Sequence, residues 1–259
     1  MNITQENAIK KLIKYVSTDN SILGLILCGS LAKGTETDQS DIDVFVVVTD
    51  KRFNNEKLHK NYFWGTDFDS EEFNIEIDGK IIPKDFLSKV WKYGNESIKS
   101  TLYYSKLIYS IDSDIEDLLQ YKSHTSEKEK SENIRKFYSL MKSCRYSADD
   151  DLDNTLLINK CIYDTIFYAC RLVLAYNDVL FPCIKNLYKE LNTCSKLPNN
   201  FIKLMNEVLN SYSLDKMVEF YDSVDDYFKD YRFDNKLRKG YVLENELFWY
   251  FDTFPYSEI

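Results

Sequence analysis

The chain has 259 residues, 44% of them hydrophobic and 15% aromatic, enough to bury one large core or two modest ones. Its 33 basic residues against 42 acidic ones leave a net charge of −9. Together with the lack of any Lys/Arg block, that disfavours binding to duplex nucleic acid, which depends on many phosphate contacts.

The order of elements begins with Ile9, Leu12, Ile13 and Val16, which keep helical spacing behind a candidate N-cap at Thr4. Ile22 to Cys28 reads as a strand, Asp43 to Val48 as a second and Phe73 to Ile82 as a third. "DFLSKVWKYGNESIKSTLYYS" follows as mostly helix, and "KLIYSID" as a last strand. Six of the seven glycines fall between positions 24 and 94, so turn-rich strand architecture belongs to the first part of the chain. The reading is an α+β domain over 1–125 and an all-α helical bundle domain over 126–259. In the second part "SEKEKSENIRKFYSLMKSCRY" and the nearly all-apolar "TLLINKCIYDTIFYACRLVLAY" read as long helices. Pro182 and Pro198 stand where further helices would begin.

No apolar run approaches the roughly 20 residues of a membrane span. No basic-then-apolar leader opens the sequence, and six cysteines without a C-x-x-C pair read as reduced thiols, mostly core filler. A cytoplasmic protein is the expectation. With only His59 and His124 available, a hard cation on oxygen ligands is the better expectation than a His/Cys zinc site.

"ILCGSLAKGTETDQSDIDVFVVV", residues 26–48, concentrates the chemistry. Asp41 and Asp43 are two apart at the start of a strand, so they share a face and repel each other unless a cation neutralises them. Upstream, Gly29-Ser30 follows a strand at a tight turn, where backbone N–H groups and a hydroxyl can donate to phosphate oxygens. Lys33 can add a point charge to the same phosphates. Phosphate-binding groups and metal ligands side by side are what phosphoryl or nucleotidyl transfer requires. "FNIEIDGKIIPKDF" offers Glu76 and Asp78 as a third carboxylate, again facing one way.

G-S-x-x-K-G followed by S-D-I-D on a strand resembles the polymerase-β-like nucleotidyltransferase superfamily. More loosely, the second half resembles the helical domains of bacterial antibiotic-type nucleotidyltransferases. The resemblance implies an N-terminal nucleotidyltransferase domain with a mixed sheet. It implies that Gly29 and Ser30 are the phosphate-binding pair, with Lys33 at a position often held by arginine. It puts metal binding and catalysis on Asp41 and Asp43, and, through "IDGKIIPKD", the third carboxylate on Asp78; an alignment to kanamycin-type enzymes puts it on Glu76 instead. It further implies Mg2+, ATP or another NTP as substrate, and transfer of an NMP group to a hydroxyl of a small-molecule acceptor. An aminoglycoside or lincosamide antibiotic would fit, which makes antibiotic resistance the expected role. The alternative is an antitoxin-like nucleotidyltransferase that modifies or binds a protein partner. No Walker-type loop occurs, so a P-loop enzyme is excluded on pattern.

Lys160, Asp164 and Arg171 recur at helical spacing. They read either as a polar stripe facing a cleft, with Asp164 a base for the acceptor, or as an intrahelical ion pair plus a solvated arginine; the second is favoured. The run Asp149-Asp150-Asp151 reads as a solvated helix end or loop.

Overall fold

The structure, a computed structural model, describes residues 1–65, 75–121, 127–232 and 235–252. The chain divides into two compact units, Met1–Ser123 and His124–Ile259.

The first unit opens with helix α1 (Ile3–Val16). Its cap is Asn2 rather than Thr4: the Asn2 side chain accepts from the Gln5 N–H and the Gln5 side chain accepts from the Asn2 N–H, both at 2.9 Å. Reciprocal bonding of this kind satisfies two orphan donors at once, which a threonine inside the first turn cannot do. Strand β1 (Ile22–Leu27) leads into a short helix, α2 (Gly29–Lys33), where the sequence had suggested a plain turn. Strand β2 (Ile42–Val48), helix α3 (Asp50–His59) and the two-residue strand β3 (Phe63–Trp64) follow. Next come strand β4 (Ile77–Pro83), helices α4 (Asp85–Tyr93) and α5 (Glu96–Tyr103), strand β5 (Lys106–Ser110) and helix α6 (Asp114–Gln120). The expected start of the third strand near Phe73 lies outside the described residues. The stretch expected to be mostly helix is so, in two helices divided at Gly94-Asn95, with Asn95 capping α5 by accepting from the Ile98 N–H at 2.9 Å.

The five strands form one mixed sheet in the order β3-β4-β2-β1-β5. Only β2 and β4 run parallel; the other neighbours are antiparallel. Val44 to Val48 are all buried, because strand alternation sends them in turn to two covered faces. One face packs Leu25, Leu27, Val44 and Val46 against Ala8, Leu12 and Val16 of α1. The other packs Ile26, Cys28, Phe45, Val47 and Ile82 against Leu87, Val90, Leu102 and Ile115 from α4, α5 and α6. Each fully buried aliphatic side chain contributes about 1.5–3 kcal/mol, so β2, central and covered on both sides, is the firmest strand on which to mount a site.

The second unit is helical among its described residues: α7 (Glu127–Ser147), α8 (Thr155–Tyr176), α9 (Ile184–Leu191), α10 (Phe201–Ser211), α11 (Leu214–Tyr227), a 3-10 turn (Lys229–Tyr231) and α12 (Asn235–Glu246). Its core gathers Phe137, Tyr138, Ile162, Phe181, Phe220 and Phe228. Pro182 and Pro198 stand just before the caps Cys183 and Asn200, where α9 and α10 begin as expected, though outside the first helical position. All six cysteines are free thiols, and Cys28, Cys161, Cys170 and Cys194 are buried. No described helix is long and apolar enough to cross a membrane.

Candidate active site

The residues singled out in the first unit come from the short helix α2 that follows β1 and from the starts of β2 and β4. The N–H of Cys28 donates to the Asp43 carbonyl at 2.8 Å, which holds the β1-α2 junction against β2. Gly29 follows at φ +63°, a left-handed conformation that L side chains rarely adopt. A Cβ placed there would lie 1.9 Å from Asp43 Oδ2. Glycine is thus required twice, by the backbone turn and by the carboxylate that occupies the space beside it. From this turn α2 starts with Ser30 in its first turn, where N–H groups have no partner within the helix. Gly34, at φ +75°, closes the helix with its N–H on the Ser30 carbonyl. Lys33 is the last residue of α2, and its ammonium lies 4.4 Å from the centroid of the Tyr104 ring.

Parallel pairing of β2 with β4 sets Ile42 opposite Ile77 and Asp43 opposite Asp78. Paired residues of adjacent strands project to one face, about 4.8 Å apart along the hydrogen-bonding direction. That face is the one carrying Phe45, Val47 and Ile82, and both carboxylates are half-buried at its rim. Asp41 immediately precedes β2 and is also half-buried. Glu76 lies just before β4 and is exposed, its carbonyl accepting from the Ile42 N–H at 2.9 Å. The structure therefore aligns Asp78, rather than Glu76, with Asp43.

Gln5 is a site-supporting residue that the sequence did not reveal. Only 1% exposed, it donates from Nε2 to the carbonyls of Thr37 at 2.9 Å and Ser40 at 3.3 Å. The loop that delivers Asp41 to β2 is thereby fastened to α1, with Asn2 adding a 3.1 Å bond to Asp38. A glutamine in a surface-patterned helix carries no signal of this kind, because the loop it grips is over thirty residues away.

Among the described residues no three His, Cys, Asp or Glu side chains stand close enough to form a ready-made metal cage. Mg2+ does not ask for one: it keeps several waters and is bound through one or two carboxylates plus substrate phosphates. The donor set fits it, with two hard carboxylates in register on adjacent strands, a third two residues upstream and a glycine where a side chain would crowd Asp43. Cys28, beside this cluster, is no nucleophile: burial, with the Asp43 charge adding to it, pushes its thiol far above the ordinary range.

In the second unit, Lys160 and Asp164 form the expected intrahelical ion pair at 2.6 Å. The solvated Arg171 is corrected. It is 3% exposed, with its guanidinium carbon 4.4 Å from the Phe137 ring and 4.3 Å from the Phe181 ring. Guanidinium planes stack on aromatic faces, and α8 is covered on nearly every side, so the arginine is enclosed within the bundle. Asp149, Asp150 and Asp151 are exposed at the end of α7, as expected.

The model of the nucleotidyltransferase domain family matches residues 9–147. Among solved structures, a nucleotidyltransferase-like protein from Exiguobacterium sibiricum 255-15 superposes with a TM-score of 0.51 at 12% identity, over 93% of this chain and 79% of that one; the likeness concerns the fold alone. Spectinomycin adenyltransferase AAD(9) from Enterococcus faecialis, solved with ATP and spectinomycin, gives a TM-score of 0.33 at 17% identity, over 84% of this chain and all of that one. That superposition is too loose to bear on either fold or activity. Comparison with curated proteins gives no match. The family match spans more than half of the chain and includes the whole β1-α2-β2 and β4 constellation: the chain belongs to the nucleotidyltransferase family.

Proposed function

We propose that the protein transfers an NMP group, AMP by default, from a nucleoside triphosphate to a hydroxyl of a small-molecule acceptor. The observation that carries this reading is the register of Asp43 with Asp78 beside a glycine that leaves Asp43 room. Asp41, Asp43 and Asp78 would hold magnesium, which supplies charge neutralisation of the phosphates and polarisation of the reacting phosphorus. Gly29 and Ser30 donate N–H and hydroxyl hydrogen bonds to the triphosphate, and the Lys33 ammonium adds a fixed positive charge. These groups hold the α-phosphorus in line with an incoming hydroxyl. Asp78, as the third carboxylate, accepts that hydroxyl's proton as the new O–P bond forms and pyrophosphate leaves.

The acidic surface, at −9 overall, suits a cationic acceptor such as an aminoglycoside over an anionic one. A lincosamide remains within the same acceptor class, and a role in antibiotic resistance follows if either is modified. The test incubates the protein and Mg2+ with each of the four α-labelled NTPs and a panel of hydroxyl-bearing aminoglycosides, lincosamides and cell metabolites. Label on a small molecule that is lost in Asp43→Asn supports the reading. Label on a protein or on RNA only, or equal labelling by Asp43→Asn, overturns it.

A further inference from the structure

We propose that Tyr104 is a positioning residue for Lys33, holding its ammonium over the phosphate site through the face of its ring. This rests on the role of Lys33 given above. The placement follows from the sheet. Antiparallel pairing of β1 with β5 sets Leu27 opposite Lys106, so the residues just before β5 run alongside those just after β1. Tyr104, the C-cap of α5, thereby arrives beside the Gly29 turn and the short helix that ends in Lys33.

The segment that carries it is fixed from below. Leu102 is 1% exposed, and Ser105 is buried with its hydroxyl donating to the Leu102 carbonyl at 2.7 Å. Tyr103 supports the Tyr104 ring from the side, edge-on, with centroids 5.2 Å apart and planes at 75°. Against this base the Lys33 ammonium sits 4.4 Å from the Tyr104 centroid, inside the range where a cation is attracted by the ring's negative face.

The choice of an aromatic partner has a chemical consequence. A carboxylate in that place would hold the lysine by cancelling its charge. A ring restrains the flexible four-carbon stem through its face and adds no negative charge of its own. It also lowers the rotamer entropy that Lys33 would otherwise lose on binding the triphosphate. Since Tyr104 is itself 40% exposed, stacking on the nucleobase is the rival use of the same ring.

Calorimetry with two probes separates these uses: MgATP, which has a base, and magnesium tripolyphosphate, which has none. The expected result is that Tyr104→Leu weakens both probes equally, by about two- to five-fold, while Tyr104→Phe restores both because it keeps the ring. In a Lys33→Ala background the Tyr104→Leu loss should vanish. Circular dichroism on each variant checks that the fold is kept. Weakening of MgATP alone would assign the ring to the base and overturn the proposal, as would a Tyr104→Leu loss that persists undiminished without Lys33. If Lys33→Ala binds both probes as the native protein does, the phosphate role of Lys33 falls and this inference with it. If Lys33→Ala weakens binding and Tyr104→Leu does not, only the inference fails.

Discussion

Replacing Gly29 by alanine places the sharpest demand on the proposed site. Two effects are built into that one methyl group. The first is conformational: at φ +63° an L residue costs about 1–2 kcal/mol relative to glycine. The second is steric: the new Cβ would lie 1.9 Å from Asp43 Oδ2, where even a tight contact needs 3.0 Å. The carboxylate therefore has to retreat by roughly 1 Å, the size of displacement that can cost an enzyme about a hundred-fold in rate. Gly34→Ala separates the two effects, because Gly34 has φ +75° and open space around its Cβ position. Gly34→Ala should lose the conformational part alone, read as a drop in thermal midpoint of about 2–8 °C, and Gly29→Ala at least as much. Only Gly29→Ala should lose label transfer to the acceptor, by about two orders of magnitude. Equal activities in the two variants, or a Gly29→Ala enzyme within a few-fold of native, would show that the position of Asp43 is not what the reaction depends on.

Three further outcomes follow from other contacts. Asp78→Ala should lower turnover by about a hundred-fold or more, whereas Glu76→Ala, at an exposed position outside β4, should stay within a few-fold; the reverse ranking in steady-state kinetics would move the third carboxylate to Glu76. Gln5→Leu removes the side-chain donor to the Thr37 and Ser40 carbonyls, of which Thr37 keeps the Ser40 N–H, so denaturant unfolding should show a loss of about 1–3 kcal/mol, and magnesium-dependent ATP binding should weaken as the Asp41 loop loosens. Burial works against the charge of Asp225, but hydrogen bonds from Tyr138 and Arg232 outweigh it and hold its carboxyl below the usual range. That contribution is present above the unfolded value of about 3.9 and is lost as pH falls through the lower folded one. In thermal scans at falling pH, Asp225→Asn should therefore lose less stability than the native chain below about pH 4, and parallel curves would refute the assignment.

Much of this fold was legible because the sheet is buried on both sides. Val44 to Val48 form an unbroken apolar run, and such a run between turn signals reads as a covered strand whatever its neighbours are. Helix α8 was legible to its ends, since an apolar stretch of that length has few other ways to satisfy its backbone. Helix α3 was not: none of its residues is buried, so it leaves no periodic stripe, and its local signals are the Thr49 cap, Asp50 in the first turn and Lys57 and His59 in the last. Helix α2 is too short to show a period at all, and its presence follows from the packing of the Gly29 turn on Asp43.

The site divides along the same line. Alternation along one strand told which carboxylates share a face, and that much is local. Which residue of β4 stands beside Asp43 depends on the offset between two parallel strands joined by a long crossover, and no residue type encodes that offset directly. Glu76 and Asp78 are the same kind of side chain on the same face, so only the register distinguishes them. Tyr104 and Gln5 belong with this second kind of information. Each reaches the site from an element far away in sequence, and each would look ordinary in any alternation or periodicity count. The partners of a motif are thus set by topology, even where the motif itself is set by its own few residues. The Gly29 turn shows why the two must agree: a left-handed glycine abuts a carboxylate here only because the backbone bond from Cys28 to Asp43 brings β2 against it.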